Sequence, residues 1–141
     1  MYHHWNEVPH RFGLFGVNQE VRPQYFVFQL LGQLGNRRLR AACDAPDLRV
    51  LAGRREDGAT GVVIVNCDRT ASADRVTNVR FAGLTPGRRS LVVYRIDRER
   101  SWCSHALEVR PTERREVDVR ERFTFQVYTP ADSVSLVVLE S

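Results

Sequence analysis

The chain is expected to be mainly β: an antiparallel β-sandwich of eight to nine strands with one N-terminal helix. Three observations predict this. One stretch near the N-terminus, residues 23–34, carries helical periodicity. From Arg37 onward the apolar residues recur with the period of two that marks half-buried strands. Turn-forming clusters such as Asp57-Gly58 and Thr85-Pro86-Gly87 separate these segments at the spacing of a sandwich.

The helix is predicted from its stripe and its ends. Val27, Leu30, Leu31 and Leu34 stand at i, i+3, i+4 and i+7, one face of a 3.6-residue period. Pro23 suits the first turn, where its missing N–H is not needed. Gly35-Asn36 is a fitting stop, because both residues tolerate the left-handed conformation. Tyr25, Phe26 and Phe28 spread apolar surface around more of the circumference, so the helix is expected to need cover on more than one side. Ahead of it, Phe12-Gly13-Leu14-Phe15-Gly16-Val17 reads as a loop touching a core.

The strands follow in order. Residues 37–43 form a plausible first strand, and 48–53 a second. Arg55-Glu56-Asp57-Gly58 supplies a hairpin turn, since Asp-Gly accepts positive φ cheaply. Thr60-Gly61-Val62-Val63-Ile64-Val65-Asn66 is a continuous β-branched run, expected to be central and buried on both faces. Residues 76–81 and 89–97 are the next strands, joined by the Pro-Gly turn at 83–87. A short edge strand is expected at 106–109, with Pro111 blocking the ladder beyond it. Residues 116–119, 123–128 and 134–140 complete the set.

Composition narrows the function. At 141 residues, 43% hydrophobic and 27% charged, the chain can bury a core of its own without staples. No run reaches the apolar length of a membrane span, and residues 1–7 lack the basic and apolar regions of a secretory signal. The net charge is +4, and all 21 basic residues are Arg, a usage that a GC-rich genome explains. These arginines alternate with acids, as in Arg54-Arg55-Glu56-Asp57, instead of gathering on one face as nucleic-acid binding favours. Cys43, Cys67 and Cys103 contain no CxxC pair. They are expected to be buried, reduced thiols of a cytoplasmic protein, with a disulfide plus one free thiol the alternative. His3, His4, His10 and His105 lack metal-ligand spacing, so no metal and no cofactor are expected.

No nucleophile elbow, phosphate loop or dinucleotide fingerprint is present. Glu7, Glu20, Asp97 and Glu108 are the carboxylates that stand out, and carboxylates at strand ends are ordinarily solvated. No catalytic residue is therefore assigned. Trp5 and Trp102 are the candidate substrate-binding residues, because an indole face is a flat apolar platform with a polar edge, suited to stacking on a sugar. The plainer expectation for each is packing at the edge of the core.

The order of parts resembles a known arrangement. An aromatic segment, Gly13-Leu14-Phe15-Gly16, a helix reading Pro23-x-Tyr25-x-x-Phe28-x-Leu30-Leu31, and then a β-sandwich are similar to the C-terminal end of retaining (β/α)8 glycoside hydrolases. The β-xylosidase and α-iduronidase family is the nearest in pattern. Trp5 would match the Trp of the last barrel strand, and Phe12 to Tyr25 the loop entering the last barrel helix. Tyr94-Arg95-Ile96-Asp97-Arg98-Glu99-Arg100-Ser101 resembles that family's Tyr-x-Ile-Asp-x-x-His-Ser segment, with Arg100 in place of the His. Trp102-Cys103-Ser104-His105 replaces its usual continuation, and Glu20-Val21 its Asp/Gly turn. The closing Tyr128 to Leu136 resembles its last hairpin.

The resemblance implies residues 1–36 as the end of a barrel and 37–141 as the sandwich domain. It implies an accessory portion of a glycosidase that braces a catalytic barrel, or its own oligomer, through the N-terminal helix. The family's catalytic glutamates lie on earlier barrel strands, so neither carries over to a residue here, and the chain alone is expected to be non-catalytic. Two alternatives remain from the residues themselves: a stand-alone carbohydrate- or protein-binding sandwich, and a basic nucleic-acid-binding β-domain.

Overall fold

The computed structural model describes residues 14–15, 21–68, 72–100 and 109–141. Among them are one helix, α1 (Pro23–Gly32), and eight strands. The strands are β1 (Arg37–Leu39), β2 (Leu48–Arg54), β3 (Thr60–Asn66), β4 (Arg75–Ala82), β5 (Gly87–Ile96), β6 (Pro111–Val119), β7 (Arg122–Thr129) and β8 (Ser133–Glu140). Six of them form one antiparallel sheet in the order β1-β2-β3-β8-β5-β6, and β4 and β7 pair antiparallel in a second. The C-terminal strand β8 is thus central, held between β3 and β5.

Two apolar clusters lie on the two faces of the large sheet. Val62, Ile64, Leu91, Val93, Val137 and Leu139 meet Val79, Phe81, Phe125 and Val127 of the small sheet. On the opposite face Val63, Ile96, Leu136 and Val138 meet Phe26, Leu30 and Leu34 of the helical segment. The molecule therefore has three layers, helix on sheet on sheet. This explains why β3, β5 and β8 read as continuous apolar runs: alternate residues enter different cores. On β7, by contrast, Phe125 and Val127 point inward while Thr124, Gln126 and Tyr128 face solvent, because only one face is covered.

Local signals place the turns. Gly58 has φ 87, and its N–H donates to the Arg55 carbonyl while Asp57 accepts from Ala59 N–H at 3.0 Å. That closes the β2–β3 hairpin at the Asp-Gly pair the sequence indicated. Pro23 stands in the first turn of α1, and Gly35, at φ 85, ends the segment. Gly35 also lies against β2: a Cβ there would sit 2.5 Å from the Arg54 carbonyl oxygen.

Several expectations need correction. The buried stripe of the helix is Phe26, Leu30 and Leu34, with Val27 half-buried and Leu31 36% exposed. The helix is thus rotated from the predicted phase, and it ends at Gly32 instead of Leu34. The first strand stops at Leu39, not Cys43. The β4–β5 turn closes before Gly87, which already pairs with Val119. Pro111 does not block a ladder: it opens β6, the outer strand, opposite Tyr94 at a register shift. An edge strand's first residue needs no N–H there. Val109 lies outside any strand, and residues 106–108 are outside the described residues. Cys43 and Cys67 are free thiols but exposed, not buried, because both lie beyond strand ends. Cys103 is outside the described residues.

Candidate functional site

Trp5 and Trp102 both lie outside the described residues, as do Glu7, Glu20, Glu108 and all four histidines. The structure does define the base from which the segment carrying Trp102 departs. β5 ends at Ile96, and Asp97 follows with its side chain buried. Its Oδ1 accepts the N–H groups of Glu99 and Arg100 at 3.1 and 2.9 Å, and its Oδ2 accepts from the Arg100 guanidinium at 2.6 Å. The Arg100 N–H also donates to the Asp97 carbonyl. A short polar side chain bonding to the backbone two and three residues ahead fixes a tight turn. Asp97 is therefore a buried turn anchor and not a solvated carboxylate. Arg100, where the resembling family has His, supplies its counter-charge.

Around this turn a polar cluster closes one end of the sandwich. Arg95, half-buried, places its guanidinium 5.3 Å from the centre of the Tyr128 ring. Burial first, and the neighbouring Arg100 second, hold Arg95 below its ordinary pKa. The Tyr128 hydroxyl donates to Asp74 Oδ2 at 2.6 Å, and Asp74 Oδ1 accepts the Ala131 N–H at 2.9 Å. These bonds hold Asp74 below the usual carboxylate range, and the bond to Asp74 pushes Tyr128 up. Asp132, at φ 55 in the β7–β8 turn, pairs with Arg98 at 2.7 Å. That bond, followed by one from Ser72, lowers its pKa.

Asn66, fully buried at the end of β3, ties the cluster to the sheet. Its Nδ2 donates toward the carbonyls of Ala73, Thr129 and Pro130 at 2.9 to 3.0 Å. One side chain so holds the entry to β4 and the exit of β7. In the sequence Asn66 sits at the end of an apolar run, where a lone amide looks like the start of a loop. The clue was its place one step past a fully buried strand, where an amide can satisfy converging carbonyls.

Chemically, this end of the molecule positions groups and exposes an aromatic ring. Asp74, Asp97 and Asp132 each accept from defined donors, so none is left as a paired acid and base. Among the described residues no group of three or more His, Cys, Asp or Glu could hold a metal ion. None of the helices there is long and apolar enough to cross a membrane.

The helix offers a second candidate surface. Phe26 and Leu30 face the sheet, while Phe28 and Leu31 remain 49% and 36% exposed on the other side. The C-terminal end of the segment is seated by two glycines that pair across β2 and β3, Gly53 and Gly61. Cβ atoms there would lie 2.6 Å from the Leu34 carbonyl oxygen and 3.3 Å from its side chain.

The three-layer architecture is the fold of a portion of known glycosidases. A monomeric β-xylosidase from Caulobacter crescentus CB15 superposes with a TM-score of 0.73 at 22% identity, covering 92% of this chain and 32% of that one. The GH39 enzyme from Xanthomonas axonopodis pv. citri matches with a TM-score of 0.72 at 16% identity, over 92% and 32% of the two chains. A bacterial orthologue of human α-L-iduronidase matches with a TM-score of 0.68 at 19% identity, over 86% and 27%. The chain thus spans about a third of the length of these enzymes. No protein-family model and no curated protein matches it. At these identities the likeness is one of fold.

Proposed function

We propose that this chain is the accessory β-sandwich portion of a glycoside hydrolase of the β-xylosidase type, non-catalytic alone, with the helix as its contact to a catalytic barrel. In this reading residues 1–36 form the end of the barrel and 37–141 the sandwich. The observation that carries it is the match of nearly the whole chain to about a third of several glycosidases, joined to the motifs around Trp5, Pro23 and Asp97. The helix supports it: one face is buried on the sheet, and the other presents Phe28 and Leu31 outward. In such an assembly Trp5 would match the substrate-facing Trp of the last barrel strand, while Trp102 is the candidate contact of the stand-alone binding-module alternative.

At the described sandwich end, Asp74, Asp97 and Asp132 are each held by hydrogen-bond donors, whereas glycoside hydrolysis needs two carboxyls facing each other across a cleft. The isolated chain is expected to leave aryl xylosides and related aryl glycosides at the blank rate. Robust turnover that survives repurification would overturn the proposal.

A further inference from the structure

We infer that the outer face of the β4–β7 sheet is a binding surface for an extended oligosaccharide carrying carboxylate groups. The face is a flat, two-stranded platform read off the register: Val76 stands opposite Tyr128, Asn78 opposite Gln126, and Arg80 lies diagonal to Arg122. Side chains on alternate residues of both strands point to solvent here, and all six are exposed.

Each row suits a different part of such a ligand. The Tyr128 ring is 45% exposed beside Val76, which is 64% exposed. The ring is held at its hydroxyl by Asp74 and flanked by the Arg95 guanidinium. An aromatic ring already fixed in place stacks on a sugar face with little further loss of freedom. In the next row Gln126 Nε2 donates to Asn78 Oδ1 at 3.1 Å. That leaves the Asn78 amide hydrogens and the Gln126 carbonyl oxygen side by side, a donor and an acceptor for neighbouring hydroxyls. At the far end Arg80 and Arg122 make no ion pair and no side-chain hydrogen bond with another described residue. Guanidinium groups take carboxylates by paired hydrogen bonds. No acidic residue stands on the face between Val76 and Ala82 or between Arg122 and Tyr128, and the carboxylate that borders it, Asp74, is engaged by the Tyr128 hydroxyl and the Ala131 N–H, so the charge of the arginine end is complementary to an anion. From the row of Tyr128 to that of Arg122 the strand rise spans about 20 Å, the reach of an oligomer and not of one sugar. A single-stranded nucleic acid fits less well, because successive bases call for successive aromatic platforms, and the face has one.

The inference stands on the chemistry of this face. It rests on the accessory-portion reading only in taking a polysaccharide as the natural ligand, and its test needs no barrel. The full chain is titrated by calorimetry with an oligouronate hexamer, a neutral β-1,4-linked hexasaccharide and hexathymidylate. The oligouronate is expected to bind about tenfold more tightly than the neutral sugar at low salt, with the preference shrinking as salt screens the arginines. Tyr128→Ala is expected to weaken both sugars about tenfold. The surface double variant Arg80→Gln/Arg122→Gln should bind the two sugars equally. Failure of both sugars to bind, indifference to these substitutions, or tighter binding of hexathymidylate would overturn the inference. Turnover of aryl glycosides by the chain would overturn the accessory-portion reading and leave this one standing.

Discussion

Asn66 and the Asp74–Tyr128 pair show how single residues hold this molecule. Asn66 is a fully buried amide whose donors serve three carbonyls from two other segments. Removing it strands buried acceptors, which costs about 1–3 kcal/mol. Asn66→Ala is expected to lower stability by that amount in denaturant unfolding. Asn66→Asp should cost more, because a carboxylate would face three carbonyl oxygens with no hydrogen to offer. Equal stability of Asn66→Asp and wild type would show that the amide is not the clamp. The Asp74–Tyr128 bond instead writes a pH dependence. Asp74 is held below its ordinary value, so its contribution is full above about pH 4 and is lost as pH falls through the lowered value. Tyr128 is pushed above its ordinary value, so its contribution is full below about pH 10 and is lost as pH rises through the raised value. Comparing melting temperature against pH for wild type and Asp74→Asn should show the two curves converging on the acid side.

At the scale of elements, the helix shows what sequence pattern can and cannot decide. Its existence and its start were legible, because Pro23 acts through its own backbone chemistry, while the helix proper stops at Gly32, two residues short of the end that Gly35 suggested. Its buried face was not legible. Tyr25, Phe26, Val27, Phe28, Leu30, Leu31 and Leu34 leave little of the circumference polar, so more than one stripe satisfies a helical period. The choice is made in the sheet, where Gly53 and Gly61 form the recess that receives Leu34. Strand β6 was half-legible for the opposite reason. Its exposed Glu113, Arg114, Arg115 and Glu116 carry no apolar alternation, since an outer strand keeps charge at its edge against unwanted pairing. β3 and β8 were legible because both of their faces are buried. Gly53→Ala is expected to destabilise the fold by about 1–3 kcal/mol, the cost of forcing packed backbone apart. Leu30→Ala, at a fully buried site, is expected to cost about 2–5 kcal/mol. Leu31→Ser should change stability by less than about 0.5 kcal/mol. A reversed order between Leu30 and Leu31 would contradict the observed phase of the helix.

For the whole molecule, the sandwich and the helix share one large sheet as their common wall. A central sheet buried on both faces makes the helical segment part of the folded unit. The proposed boundary at residue 36 therefore does not separate independently packed bodies in this fold. The candidate site was less legible than the fold. The sequence pointed to Trp5 and Trp102, which lie outside the described residues, and the described structure gathers Asn66, Asp74, Arg95, Asp97, Arg100 and Tyr128 from the ends of β3, β5 and β7 and the entry to β4. No spacing rule joins such residues, because only the crossing of strands between the two sheets brings them together. The central claim is that the exposed helix face docks on a catalytic barrel. The most direct measurement is sedimentation of this chain mixed with the β-xylosidase of Caulobacter crescentus from which the matched third has been removed. A one-to-one complex is expected, which Leu31→Glu weakens while leaving the chain's own melting temperature unchanged; two species sedimenting independently, with Leu31→Glu indistinguishable from wild type, would rule out docking through this face.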